Sequence, residues 1–381
     1  MRGLRQHGTS LEKLGNEIAD SSGTSLSAGP AGKLRQAEKM RHMLLCKDAL
    51  MIFARGVFRK LAVSRLWILG VAVAAAGSAS VMAQYMYRAV PGRGQKVTQV
   101  GDDFEEAEWS YFDNGPKASS NIDHQDRLPA GISKNQRVYE STYRGQPDIV
   151  KRVETPEGGL HGSQWSLSMR SVQTGIPGHA SYKMQQDDLL INVTSLMGGP
   201  VPVSKSPSVV VRVFLPPFEQ WEKRTGSTFG FRAELEGSSM RPYVSKSLFS
   251  RGTKMRRKEE AYWPGFFIQF NSKSDGQNKE DSAVLLIRAG TQGEDIVGPR
   301  ITETGWWTLG MAFTPDGTTH FYASPGVDPL TERDHVATTK PYGHTAETLN
   351  TFFFNVVNQD DGRTWSTEWI VDDPSLYLYT R

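Results

Sequence analysis

Thr228-Phe229-Gly230-Phe231-Arg232-Ala233-Glu234-Leu235-Glu236 is the stretch whose reading decides the fold. Phe229, Phe231, Ala233 and Leu235 alternate with Gly230, Arg232, Glu234 and Glu236. A side-chain period of two belongs to a strand with one buried and one polar face. Arg232 and Glu234 therefore point the same way, toward solvent or into a groove.

The same texture runs outward from this stretch. Alternating apolar runs between turn residues predict strands over 103–112, 163–172, 188–193, 208–215, 228–236, 264–271, 283–289, 306–314, 319–324, 351–358 and 369–379. Asn114 to Glu157 is long, polar and punctuated by Gly and Pro; it is expected to run over the rim, with a short strand at 137–142. Thr314-Pro315-Asp316-Gly317 predicts a tight turn, because Pro presets φ and Gly accepts a positive φ. Phe218 to Lys223 predicts one short helical turn. No window repeats apolar residues at helical spacing over a major helix. Strands without crossover helices predict an all-β fold, a two-sheet antiparallel jelly-roll sandwich.

Charge divides the chain. Residues 1–83 hold 12 Lys and Arg against 5 Asp and Glu, leaving 32 against 36 in the rest of the 381 residues. The body is mildly acidic, which argues against a nucleic-acid partner. The one cysteine is Cys46, so the body has no disulfide framework, cysteine nucleophile or Cys-based zinc site.

Residues 1–50 are polar and aperiodic, and are expected to be disordered or to precede the true start. Residues 51–83 have the layout of a signal peptide. Arg55, Arg59, Lys60 and Arg65 form a positive region, Leu66 to Ala76 an apolar one, and Val81-Met82-Ala83 a small-residue cleavage site. A single-span anchor is the competing reading, since Leu66 to Ala83 carries no charge. The body is thus expected to be secreted or periplasmic, or anchored with its domain outside the cytoplasm. Its membrane contact would come only through an uncleaved N-terminal segment. Residues 84–100 read as a linker and 101–381 as the sandwich domain.

Asp102-Asp103-Phe104-Glu105 opens the body, and Trp369-Ile370-Val371-Asp372-Asp373-Pro374-Ser375-Leu376-Tyr377-Leu378-Tyr379 closes it. In these two segments the chain resembles the concanavalin A-like lectin/glucanase superfamily, including laminin-G-like and polysaccharide-lyase jelly rolls. Pro374 departs from the usual closing strand and predicts a bulge or an edge. The resemblance implies that the first and last strands lie side by side. Asp102, Asp103, Asp372 and Asp373 would then be candidate ligands for a structural Ca²⁺, with turn and edge chemistry as the alternative. No other cofactor is expected.

The resemblance also implies a concave groove lined by outward side chains. Alternation nominates Arg170, Arg212, Arg232, Glu234, Gln269, Asn271, Arg288 and Asn355, with His320 and Tyr322 beside them and Trp263 at the rim. Guanidinium forks suit carboxylates and amides suit sugar hydroxyls, so the expected partner is a polysaccharide, with an acidic one matching the arginines. The alternative is a solvated face stabilised by cross-strand pairs. Lys254-Met255-Arg256-Arg257-Lys258-Glu259-Glu260 reads as a solvated loop.

Arg232-Ala233-Glu234-Leu235 is similar to the Arg-x-Glu-Leu motif of alginate-lyase-type enzymes. Gln269-Phe270-Asn271 matches only the Gln of their Gln-Ile-His motif, and Tyr-x-Lys-x-Gly has no counterpart. For β-elimination, Arg232 and Gln269 would neutralise a uronate carboxylate, with Tyr322 or His320 as base. The Glu-x-Asp-x-x-Glu spacing of related glucanases is absent. Carbohydrate binding is therefore the first expectation, a polysaccharide lyase the second, and a structural or adhesive surface module the third.

Overall fold

The computed structural model describes residues 89–113, 115–120, 131–176, 178–247 and 250–379, with side chains at 243–254 excepted. The signal-like segment and the expected disorder of residues 1–50 lie outside the described residues. Among the described residues, no helix is long and apolar enough to cross a membrane.

Two antiparallel sheets form the body. One has eight strands in the order β17 (His335–Thr339), β16 (Thr319–Pro325), β15 (Gly305–Phe313), β9 (Ser208–Leu215), β19 (Trp369–Leu378), β6 (Trp165–Arg170) and β5 (Ile149–Glu154), with β1 (Gln95–Gly101) paired to β19. The other has eleven strands. Its order is β14 (Asp295–Ile301), β13 (Ser282–Arg288), β12 (Gly265–Asn271), β10 (Gly226–Ser247), β18 (Thr345–Asn358), β7 (Gln185–Ile191), β4 (Val138–Glu140), β3 (Ile132–Ser133) and β2 (Tyr111–Phe112). Off that path, β11 (Ser250–Tyr262) pairs with β10 and β8 (Val201–Pro202) with β18. This is the two-sheet antiparallel sandwich expected from the alternation.

The core lies between the sheets and follows the opening stretch. Phe229, Phe231, Ala233 and Leu235 are fully buried. Phe229 meets Trp369 of the opposite sheet at 5.0 Å between ring centroids, and Phe266 meets Phe321 at 5.6 Å. Each such aromatic contributes about 2–3 kcal/mol by leaving water. These contacts lock the inward face and so turn Gly230, Arg232 and Glu234 outward on the eleven-stranded sheet.

The turn at Thr314–Gly317 forms as expected. Gly317 has φ +74°, its N–H donates to the Thr314 carbonyl at 2.8 Å, and Met311 pairs with Phe321 across it. The expected helical turn appears as a 3-10 turn over Phe218–Gln220. The bulge expected at Pro374 is present, since the β19–β9 register shifts between Asp372 and Ser375.

Four local expectations are corrected. The linker is partly strand: pairing begins at Gln95, opposite Leu378, before the expected domain start at 101. The expected strand 103–112 is a strand only at Tyr111–Phe112. Its start is a turn, with Phe104 at φ +58° and Asp102 Oδ1 accepting the Phe104 N–H at 2.9 Å. An Asp before a turn satisfies backbone donors that a strand would give to a neighbour. The rim excursion contains β5, which completes the edge of the eight-stranded sheet. Finally, the charged run 254–260 is no loop. β10 continues past Glu236 and pairs with β11 from Leu235↔Tyr262 to Ser247↔Ser250, making a long two-stranded ribbon.

Candidate functional site

Registers across the eleven-stranded sheet place its outward side chains in rows perpendicular to the strands. Arg232 stands opposite Phe353, and Phe353 opposite Leu190, which faces Tyr139. In the next row Gly230 stands opposite Asn355, and Asn355 opposite Asp188. Glu234 faces Thr351 on the other flank.

These rows floor a cleft of about 350 Å³ lined by Tyr139, Tyr143, Asp188, Glu234, Trp263, Asn350 and Phe353, among others. Arg232 lies at its edge. Its Nε donates to the Trp263 carbonyl at 3.0 Å, as does its Nη2. The guanidinium lies 5.2 Å from the Phe267 ring centroid and 5.6 Å from that of Phe353. Arg288 lies over the same Phe267 ring at 5.0 Å, with a two-point ion pair to Asp295 at 2.8 and 3.0 Å. Among the described residues, no carboxylate forms an ion pair with Arg232. Burial pushes its pKa below the ordinary arginine value and the cations Arg288 and Arg144 push the same way, while Tyr342 and Asp188 oppose them. An arginine held beside two rings and not directly ion-paired is a ready receptor for an anionic ligand.

The carboxylates of the cleft have hydrogen-bond partners of their own, and Asp188 also feels the charge of Arg232 without forming an ion pair with it. Glu234 accepts from the Trp263 indole at 3.1 Å and from Asn350 Nδ2 at 3.3 Å. Asp188 accepts from Asn355 Nδ2 at 2.6 Å and from Gln186 Nε2 at 2.9 Å. Burial raises the Asp188 pKa, and Arg144, Asn355, Arg232 and Gln186 oppose the rise. Gly230 makes the Asn355 position possible, because a Cβ there would lie 2.4 Å from Asn355 Oδ1. The Tyr139 phenol is also raised, chiefly by burial, with Glu234 adding to it.

The nominated residues divide by sheet. Arg232, Glu234, Gln269, Asn271, Arg288 and Asn355 share the outer face of the eleven-stranded sheet, and Trp263 lines its cleft. Gln269 donates to Asn271 at 3.3 Å along β12. Arg170, Arg212, His320 and Tyr322 belong to the eight-stranded sheet and cannot meet the others. Arg170 donates to the Ser366 carbonyl at 3.0 Å, and Arg212 pairs with Asp373 at 3.1 Å. Tyr322 is buried against Val90 and Leu330. His320 lies within hydrogen-bond distance of Thr314 and Thr338 at 3.1 and 3.0 Å, and burial pushes its pKa down to about 4. Neither can act as base on a ligand at Arg232.

The four aspartates are drawn into structural contacts. Asp102 accepts from Phe104 N, Trp109 Nε1 and Asn135 Nδ2, each at 2.9 Å. Asp103 accepts the Glu105 N–H at 3.2 Å. Asp373 pairs with Lys96 at 2.5 Å and with Arg212. Asp372 is buried. Among the described residues, no cluster of three or more His, Cys, Asp or Glu is placed to hold a metal.

Sequence reasoning missed Asp188, Tyr139, Phe267, Phe353 and Asn350. Phe352-Phe353-Phe354 is apolar throughout, so alternation cannot say which ring faces out. Asp188 sits on an outward position of a strand that begins three residues earlier than expected.

No protein-family model matches the chain, and no curated protein matches it. Among solved structures, it is similar to an alginate lyase from Pseudomonas aeruginosa, 8% identical over 61% of this chain and 87% of that one, with a TM-score of 0.33. An endo-β-1,4-glucuronan lyase from the fungus Trichoderma reesei is 13% identical over 62% of this chain and 90% of that one, at 0.31. A β-glucanase catalytic domain from Podospora anserina is 12% identical over 68% and 85%, at 0.34. At these scores the likeness says nothing of the site, whose chemistry rests on the side chains described above.

Proposed function

We propose that the protein binds an acidic polysaccharide across the outer face of its eleven-stranded sheet. The observation that carries this reading is Arg232, clamped between Phe267 and Phe353 at the cleft edge with no carboxylate ion-paired to it among the described residues. A uronate carboxylate would complete its guanidinium, sugar faces would pack on Phe353 and Trp263, and Asn350 and Gln269 would take hydroxyls. Titrating polyuronates and a neutral glucan against the protein tests this. Polyuronate is expected to bind, and Arg232→Ala to lose most of that binding; equal affinity for the neutral glucan would overturn the acidic part of the reading.

A second reading, β-elimination on the same class of polymer, is favoured by Tyr139 lining the cleft beside Glu234. Arg232 would neutralise the carboxylate while the Tyr139 phenolate took the proton α to it; the freed electron pair would form the new C=C bond as the β C–O glycosidic bond breaks, and the departing oxygen would take a proton from the phenol so formed or from water. The raised phenol pKa opposes a basic role, which is why binding comes first. Absorbance of unsaturated uronates on incubation with alginate or polygalacturonate separates the two. The signal-like segment at 51–83 supports placing this activity outside the cytoplasm, and sequencing the mature N-terminus tests that.

A further inference from the structure

A short loop, residues 141–145, follows β4 and lines the cleft on the side away from Arg232. Arg232, Phe353, Leu190 and Tyr139 stand in one row on β10, β18, β7 and β4. Three strand spacings, about 14 Å along the sheet, therefore separate the strand of Arg232 from the strand that carries the loop. At the loop tip Tyr143 lines the cleft with 58% of its surface exposed. Its backbone N–H donates to Ser141 Oγ at 3.2 Å, while its phenol has no hydrogen-bond partner among the described residues.

The loop is tied down around that exposed ring. The Ser141 N–H donates to the Asp188 carbonyl at 3.4 Å, and the Asp188 N–H to the Gly145 carbonyl at 2.9 Å. The Gly145 N–H closes the loop on the Ser141 carbonyl at 3.0 Å. Ser120 Oγ donates to the Thr142 carbonyl at 2.9 Å. Gly145 has φ +72°, and a Cβ there would lie 2.6 Å from the Ala118 carbonyl oxygen, so only glycine fits. The segment that carries Ala118 and Ser120 is itself anchored. Buried Lys117 pairs with Asp187 at 2.7 Å and with Asp148 at 2.9 Å, and Glu140 accepts the Ala118 N–H at 2.6 Å. Desolvation offsets most of the attraction in a buried ion pair, so this one contributes more to geometry than to stability. A large aromatic is thus held still where it can meet a ligand.

We propose that Tyr143 forms a second sugar subsite, a stacking platform for a pyranose ring further along the chain whose carboxylate meets Arg232. The inference rests on the polysaccharide reading of the cleft. A phenol ring offers an apolar face to the C–H groups of a sugar and a hydroxyl to its oxygens. Stacking involves no net charge, so its contribution survives salt, whereas that of Arg232 is screened. A ligand too short to span the row reaches Arg232 or Tyr143 but not both.

The test titrates the whole protein with galacturonate dimer and hexamer, and with a neutral β-glucan hexamer, at about 50 and about 500 mM salt. Tyr143→Ala is expected to lose about tenfold in affinity for the galacturonate hexamer, by the same factor at both salt concentrations, and far less for the dimer. Tyr143→Phe should keep most of the hexamer affinity, because the ring remains. Gly145→Ala must push the loop off the Ala118 carbonyl; it should weaken the hexamer and add nothing in the Tyr143→Ala background. Wild-type hexamer binding by Tyr143→Ala overturns the proposal. So does a loss that disappears at high salt, one equal for dimer and hexamer, or one as large in Tyr143→Phe. Loss of the hexamer in Arg232→Ala, with Tyr143→Ala unaffected, would leave the acidic-ligand reading standing without the platform. Equal binding of the two hexamers, weakened by Tyr143→Ala and not by Arg232→Ala, would sink the acidic reading and keep the platform. A wild type that binds none of the three ligands overturns both.

Discussion

Trp263 holds Arg232 through its backbone and Glu234 through its ring. Its carbonyl accepts from the guanidinium Nε at 3.0 Å, and its indole N–H donates to Glu234 Oε2 at 3.1 Å. One residue at the junction of β11 and β12 thus fixes a cation and an anion two positions apart on β10. Trp263→Phe keeps the carbonyl and an aromatic ring but frees Glu234. Polyuronate affinity should fall by about 1 kcal/mol, the worth of a hydrogen bond, through repulsion from a loosened carboxylate. Calorimetric titration checks this, and unchanged affinity would show that Glu234 needs no such restraint.

Arg232→Lys preserves the charge and removes the planar fork. An ammonium cannot donate the same two bonds to the Trp263 carbonyl or lie flat between Phe267 and Phe353. Binding should weaken by roughly 1–2 kcal/mol, with the Phe353→Ala variant weakened comparably. A lysine variant binding as well as the wild type would mean that charge alone recruits the ligand.

Phe354 lies between Phe229 and Phe231, 6.0 Å from each ring centroid. Phe354→Ala should cost about 3–5 kcal/mol, because the surrounding rings cannot collapse into the cavity. Urea unfolding measures this. A loss below about 1 kcal/mol would contradict close packing at the centre of the sandwich.

Asp372 supplies a pH dependence. Burial pushes its carboxyl up to about 6 from an ordinary value of 3.8, and its Oδ2 has no hydrogen-bond partner among the described residues. The folded state holds the proton more tightly than the unfolded chain does. This group therefore costs nothing below both values, reduces stability as pH rises between them, and stays unfavourable above. Asp372→Asn should raise the melting temperature by about 3 °C at pH 8 and leave it unchanged near pH 3.5. Stabilisation of equal size at both pH values would locate the effect in packing.

Much of the sandwich was legible because alternation is dictated by burial. β9 was expected at Ser208–Leu215 and lies there, and the Phe229–Leu235 alternation places Arg232 and Glu234 on the outer face. What alternation cannot carry is which sheet a strand joins. His320 and Tyr322 point outward from β16 just as Arg232 does from β10, yet on the opposite side of the molecule. Strand neighbours are chosen by long-range pairing, for which a single strand holds no signal. The ribbon was missed for another reason. With both faces solvated, charge falls on every position of β11 near residues 256–260, and the period of two disappears.

The last described strand has a consequence for how the domain comes into being. β19 does not lie at an edge; β9 and β6 flank it within the eight-stranded sheet, and β1 pairs with it as well. Until residues 369–378 have been synthesised, that sheet is split into pieces that cannot close over Phe229 and its neighbours. A chain lacking them stays open. For the same reason a truncation removing β19 should abolish the domain rather than trim it.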